Sequence, residues 1–128
     1  MDTAKSQLRK LVEGKNYPEN DKLDPYIVKL LSQVFTGMQG RYTRLKMILA
    51  LAEDPLNTLQ LSKELGYDFK SIKRNLEILE KNNLIERAGK GYGGMFFLSE
   101  LMETNLPTLL YVIEKVDKRL SKKKTYIS

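Results

Sequence analysis

Lys70, Lys73 and Arg74 fall on one face of a helical pattern together with Phe69 and Glu77, while Ile72, Leu76 and Leu79 recur at i, i+4 and i+7 on the other face. The chemistry open to such a face is recognition. A guanidinium carries a planar fork of donors that matches the O6 and N7 acceptors of guanine, so Arg74 is suited to reading a base edge. Lys70 and Lys73 bring point charges to the same face. Ser71 is small, lies in the first turn, and can bond a base or a phosphate. Lys46, Lys63, Arg87, Lys90 and Tyr92 are candidates for phosphate or groove contact around it. Charged helix faces are also the rule on solvated helices, so an ordinary helical hairpin with hydrated lysines is the alternative reading of these residues.

Other chemistries have little to work with. The chain has no Cys and no His, which excludes disulfides, thiolate or imidazole metal sites, thiol redox sensing and nucleophiles activated by histidine. No carboxylate pair sits on a recognisable catalytic scaffold. The glycine-rich GKGYGG stretch (residues 89–94) lies between two apolar runs with no helix after it, so it is not a phosphate-binding loop. The expectation is a protein that is not an enzyme and has no cofactor and no metal.

The elements that must position the cationic face can be read around it. Leu61 and Leu65 lie one turn apart on a short helix, and Gly66 suits a left-handed stop. Asp68 supplies a capping oxygen for the helix that follows. A short helix, a glycine turn and a longer helix with cations near its start make a helix-turn-helix, whose second helix enters the major groove N-terminal end first. Two apolar runs, residues 84–88 and 95–98, then flank the glycine-rich tip and predict a β-hairpin. Gly89, Gly91, Gly93 and Gly94 either make a flexible loop or let the backbone approach a phosphate or a minor groove closely. A helix-turn-helix followed at once by a hairpin is a winged helix.

Over residues 44–99 the order and spacing become specific. The stretch RLKMILALAEDPLNTLQLSKELGYDFKSIKRNLEILEKNNLIERAGKGYGGMFFLS resembles the ArsR-like winged-helix regulators, above all their archaeal branch. The resemblance covers a little under half the chain. It departs from the family where Leu59 stands in place of a small polar cap, which leaves Asn57 or Thr58 to cap that helix. Asn83 stands where glycine is common, and asparagine is the next best residue for a left-handed stop. Phe69 occupies a position that tends to be polar in bacterial members and often aromatic in archaeal ones. Leu56 and Asn57 are expected to add a very short strand to the wing sheet. Metal sensing does not carry over, since the family's sensors use Cys or His.

The flanks divide the chain into three parts. Residues 1–23 offer an arm, a solvated tail or a short helix through Leu8, Leu11 and Val12, followed by a polar linker. Residues 24–104 hold the winged helix-turn-helix. They open at Asp24-Pro25, a cap followed by Pro at the first helical position. Ile27, Leu30, Leu31, Val34, Phe35 and Met38 form a wide stripe, ended by Gly37 and Gly40. A second helix over about residues 42–53 faces Leu45, Ile48, Leu49 and Ala52 inward. Residues 105–128 hold a final helix starting at Leu106-Pro107 and a basic tail, whose cations complement the helix dipole. Leu106, Leu109, Ile113, Val116 and Leu120 recur at coiled-coil spacing, so the seam packs either on the chain's own core or against a second copy. With Ile27, Leu30, Leu31 and Val34 it is the expected homodimer interface.

The expected fold is therefore mainly α with a small β-hairpin wing, plus an N-terminal helix and a long C-terminal dimerisation helix. A net charge of +6 points to a polyanion and is shared between the core motif and the flanks. No apolar run approaches the ~20 residues that span a bilayer, and no signal-peptide pattern opens the chain, so a cytoplasmic location is the default. The expected function is a homodimeric, sequence-specific regulator of double-stranded DNA. The alternative is a winged helix serving as a protein- or RNA-interaction module.

Overall fold

The computed structural model describes residues 3–15, 17, 23–36, 40–90 and 94–116. Seven helices and one hairpin follow in the order α1 (Thr3–Glu13), α2 (Pro25–Phe35), α3 (Arg41–Glu53), α4 (Thr58–Leu65), α5 (Phe69–Lys81), β1 (Ile85–Ala88), β2 (Met95–Leu98), α6 (Glu100–Thr104) and α7 (Leu106–Tyr111). A π-helical turn over Val112–Val116 continues α7.

Local signals account for most boundaries. The Asp24 carboxylate accepts from the Tyr26 N–H at 2.9 Å, and Pro25 fills the first turn. Asn57 and Gln60 cap α4 reciprocally, each side chain accepting from the other's backbone N–H at 2.8 Å. Asn83 takes a left-handed φ of 61°, stopping α5 as a glycine would. Ser99 Oγ accepts from the Met102 N–H at 3.1 Å and starts α6. Strands β1 and β2 are antiparallel, with Ile85 opposite Leu98 and Ala88 opposite Met95. Leu56 exchanges both backbone hydrogen bonds with Phe96, at 3.1 and 2.8 Å, and so adds one residue of pairing to the wing. One boundary differs from expectation. Helix α2 ends at Phe35, and Gly40, at φ 77°, opens α3.

Helix α3 is the centre of the fold. It packs on α1, α2, α4, α5 and β2. That surround explains a second difference. The sequence pattern turns only Leu45, Ile48, Leu49 and Ala52 inward, yet Thr43, Arg44, Met47 and Leu51 are buried as well. A helix enclosed on several sides keeps only a narrow solvent face, here Tyr42, Lys46 and Glu53.

The flanking helices close over this centre. Helix α1 packs on α7 and α3, with Leu8 fully buried and Leu11 and Val12 half-buried against the core, so residues 3–13 are not a solvated tail. Part of the expected dimer seam lies in this same core. Leu106 and Leu109 are fully buried inside a single chain, and Ile27, Leu31, Val34 and Ile113 are buried with them. Packing of α2 on α7 and on the π-helical turn covers these side chains. A surface already removed from water has no further apolar area to give a partner. Of the expected interface only Leu30 remains half-buried among the described residues. Met38, Leu120, the Val116 side chain and the basic tail fall outside the described residues.

Two outcomes follow from this packing. Leu76 is 2% exposed between Ile72 and Leu79, so Leu76→Ala should cost ~2–5 kcal/mol in chemical denaturation. A loss below about half a kcal/mol would mean that α5 is rotated from this placement. The second outcome concerns Tyr17, whose hydroxyl donates to the Glu103 carbonyl at 2.8 Å and ties the chain after α1 to α6. Burial, and then the negative charge of Glu103, raise the Tyr17 pKa above 10.0. The fold thus favours the neutral phenol. This contribution is complete below the unfolded value and is lost as pH rises through the folded one. Tyr17→Phe should cost about 0.5–1.5 kcal/mol at neutral pH, toward the lower end for a half-solvated group. The same substitution should flatten the alkaline limb of a stability–pH curve.

Candidate nucleic-acid interface

The cationic face is held by its turn. Helix α4 ends at Gly66, whose left-handed φ of 76° reverses the chain. Ser62 Oγ donates to the Tyr67 carbonyl at 2.6 Å and fixes the exit. The Asp68 carboxylate then accepts from the Ser71 N–H at 3.0 Å and starts α5. Ile72, Leu76 and Leu79 are buried on the inward face of α5. Lys70, Lys73, Arg74 and Glu77 are exposed on the outward face. The expected division of this helix holds for these residues, and Phe69, expected on the outward face, departs from it.

Phe69 and Ser71 sit between the two faces and are half-buried. Phe69 and Lys73 line a recess of about 250 Å³ with Thr58, Leu76, Glu77, Arg87 and Phe96. The recess joins α5 to the wing, bringing Phe69, Lys73 and Arg87 to one site. The Arg87 guanidinium lies 4.8 Å from the centre of the Phe96 ring and pairs with Glu80 at 3.4 Å. Lys90 is exposed at the wing tip, and Tyr92 lies outside the described residues.

Lys46 and Lys63 stand apart from this recess. Lys46 Nζ lies 3.3 Å from the Tyr67 hydroxyl and 5.6 Å from its ring centre. It lines a separate open groove of about 1220 Å³ with residues of α1, α3 and α4, among them Lys10, Tyr42, Glu53 and Glu64. Lys63 is exposed in the last turn of α4.

Sequence reasoning passed over two residues behind the interface. Asn75 lies on the inward side of α5, three residues after Ile72, and Arg44 lies one turn before Ile48 on α3. Both are buried, and Arg44 Nη1 donates to Asn75 Oδ1 at 2.8 Å. The signal was their place on apolar faces, where a polar residue needs a built partner. Among the described residues no group of His, Cys, Asp and Glu is arranged to hold a metal ion, and no helix is long and apolar enough to cross a membrane.

Comparison with known proteins agrees with this geometry. The family model described as bacterial regulatory protein, arsR family, matches residues 41–87, from the start of α3 into β1. No curated protein matches the chain. Among solved structures, the transcriptional regulator BldR from Sulfolobus solfataricus aligns at a TM-score of 0.53 and 15% identity, covering 94% of this chain and 86% of that one. Staphylococcus aureus MarR, solved in complex with salicylate and kanamycin, aligns at a TM-score of 0.52 and 13% identity, covering 77% of this chain and 66% of that one. At such identities the likeness is one of fold. The chain has a winged-helix fold, and its residues 41–87 match the arsR-family model.

Proposed function

We propose that the chain is a sequence-specific, double-stranded-DNA-binding transcriptional regulator that acts as a homodimer. The observation that carries this reading is the exposure of Lys70, Lys73 and Arg74 on a capped helix anchored from behind. Arg74 reads a base edge, with Lys70, Lys73 and Ser71 beside it and Phe69 at the border of the wing recess. Arg87, Lys90 and Tyr92 place the wing on the backbone or in the minor groove. Lys46 and Lys63 hold phosphates farther out. The matched arsR regulatory family and the regulators among the fold relatives support it. The aromatic Phe69 favours the archaeal branch of the ArsR-like regulators, and DNA as the partner favours a cytoplasmic location.

Two copies suit two half-sites about one DNA turn apart, ~34 Å. With the final helix consumed in the core, the second copy is proposed to meet α2, where Tyr26 is 73% exposed and Leu23 and Leu30 keep accessible apolar surface.

Selection of bound duplexes from a random pool tests the reading as a whole. Affinity for the selected duplex should fall steeply with salt, whereas a protein-interaction module would bind no duplex in a salt-dependent way. Arg74→Ala should lower affinity for the selected duplex by the equivalent of ~1–3 kcal/mol. Lys90→Ala should weaken selected and random duplexes about equally. Parental affinity in Arg74→Ala would remove Arg74 from base reading. Sedimentation of the parent protein at micromolar concentration should give twice the chain mass, and Tyr26→Glu should lower it. A parent that sediments as a monomer yet binds a palindromic duplex tightly would move dimerisation onto the DNA.

A further inference from the structure

The first turns of α5 rest on a polar cluster that the outward-facing residues do not explain. Arg44 is 7% exposed and Asn75 5% exposed. Arg44 Nε donates to the Val34 carbonyl at 2.8 Å, and its Nη1 donates to Asn75 Oδ1 at 2.8 Å. Asn75 Nδ2 in turn donates to the Ser71 carbonyl at 2.8 Å. Val34 belongs to the last turn of α2, where carbonyls lack intrahelical donors and the helix dipole favours a cation. One guanidinium on α3 thus joins the end of α2 to the middle of α5.

Gly40 is fitted to the same cluster. A Cβ there would lie 2.5 Å from Arg44 Nη1 and 2.9 Å from Asn75 Oδ1, and its φ of 77° disfavours any side chain. The two residues held from behind, Ser71 and Asn75, are sequence neighbours of the two outward cations Lys70 and Arg74. Whatever fixes Ser71 and Asn75 also fixes the direction in which Lys70 and Arg74 leave the helix.

We propose that Arg44, Asn75 and Gly40 form a positioning lock that sets the rotation and depth of α5 without touching DNA, and so governs discrimination between sequences. The proposal rests on the DNA-binding reading above. Base-edge hydrogen bonds demand correct distance and angle, whereas attraction to phosphates is tolerant of both. A loosened lock should therefore erode selective binding and leave non-selective binding nearly intact.

Two variants loosen it by different routes. Arg44→Lys keeps the charge but loses the fork that spans Val34 and Asn75. Gly40→Ala leaves both partners in place and forces them apart. Each should keep its helical circular dichroism. Each should lower affinity for the selected duplex about tenfold, on the order of one charge-assisted hydrogen bond. Affinity for a random duplex of equal length should change by less than about threefold. Asn75→Asp retains the acceptor that Arg44 uses but loses the donor to the Ser71 carbonyl, so it should bind the selected duplex about threefold to tenfold more weakly and leave the random duplex unchanged within about twofold.

A second readout needs no DNA. Backbone amides of α5 from Ile72 to Leu76 should exchange about tenfold faster in the two loosened variants, with those of α4 unchanged. Unchanged exchange, or equal losses on selected and random duplexes, would overturn the lock. Where both loosened variants melt, Asn75→Asp decides: lowered discrimination in a folded protein supports the lock, and parental discrimination overturns it. A parent that binds no duplex would sink the DNA-binding reading, and the exchange rates would still decide the lock.

Discussion

The Arg44 guanidinium lies beneath the recognition helix with its donors aimed at oxygens of two other helices. Burial draws its pKa below the ordinary arginine value, yet arginine keeps its charge in proteins. Taking such a charge out of water is costly, and it persists only when hydrogen bonds and dipoles offset the loss of hydration. Here a carbonyl at the end of α2 and the Asn75 amide supply that environment. No buried side-chain nitrogen or oxygen lacks a partner among the described residues. The constraint runs outward from there. Helix α2 must end at the guanidinium, Gly40 must lack a Cβ, and α5 must present Asn75 at one rotation. That rotation sends Lys70, Lys73 and Arg74 into solvent.

Around this point the fold spends its apolar surface inwardly. Helix α3 is enclosed by α1, α2, α4, α5 and β2, and α2 and α1 close over α7. The heptad spacing of Leu106, Leu109 and Ile113 therefore serves contacts within one chain. Heptad and core spacings are nearly the same over two turns, because any helix that buries one stripe repeats at three and four residues. Among the described residues of the expected interface, accessible apolar surface remains at Leu30.

The parts of the fold legible in the sequence are those set by local chemistry. Asp24, Asn57, Asp68 and Ser99 cap helices because a short side-chain oxygen meets orphan N–H groups wherever a helix starts. Gly66 and Asn83 mark left-handed stops, and the hairpin follows from two apolar runs around glycines. The illegible parts depend on distant partners. Nothing near Arg44 announces that Asn75, thirty-one positions away, will accept from it. Leu8 gives too weak a stripe to reveal a helix until α3 and α7 supply the surface it covers. In the candidate interface the outward face of α5 was legible, because exposure there follows from period alone. The engagement of Arg87 with Glu80 and Phe96 was not, because it depends on where the hairpin lands.

Arg87 and Arg44 show two uses of one side chain. Arg87 is exposed, and its ion pair with Glu80 is worth about 0–1 kcal/mol, since water screens both ends. Its contact with Phe96 adds ~0.5–1 kcal/mol. On the DNA-binding reading proposed above, a phosphate can draw Arg87 from both partners at little cost, so the wing can adjust to the backbone it meets. Arg44 has no such freedom, because moving it would strand a charge and an amide in a dry interior. On that reading the interface joins a rigid element that holds the proposed base-facing cations to an adaptable one proposed to follow the backbone. Stiffness suits the contact that must discriminate, and compliance suits the contact that need only attract.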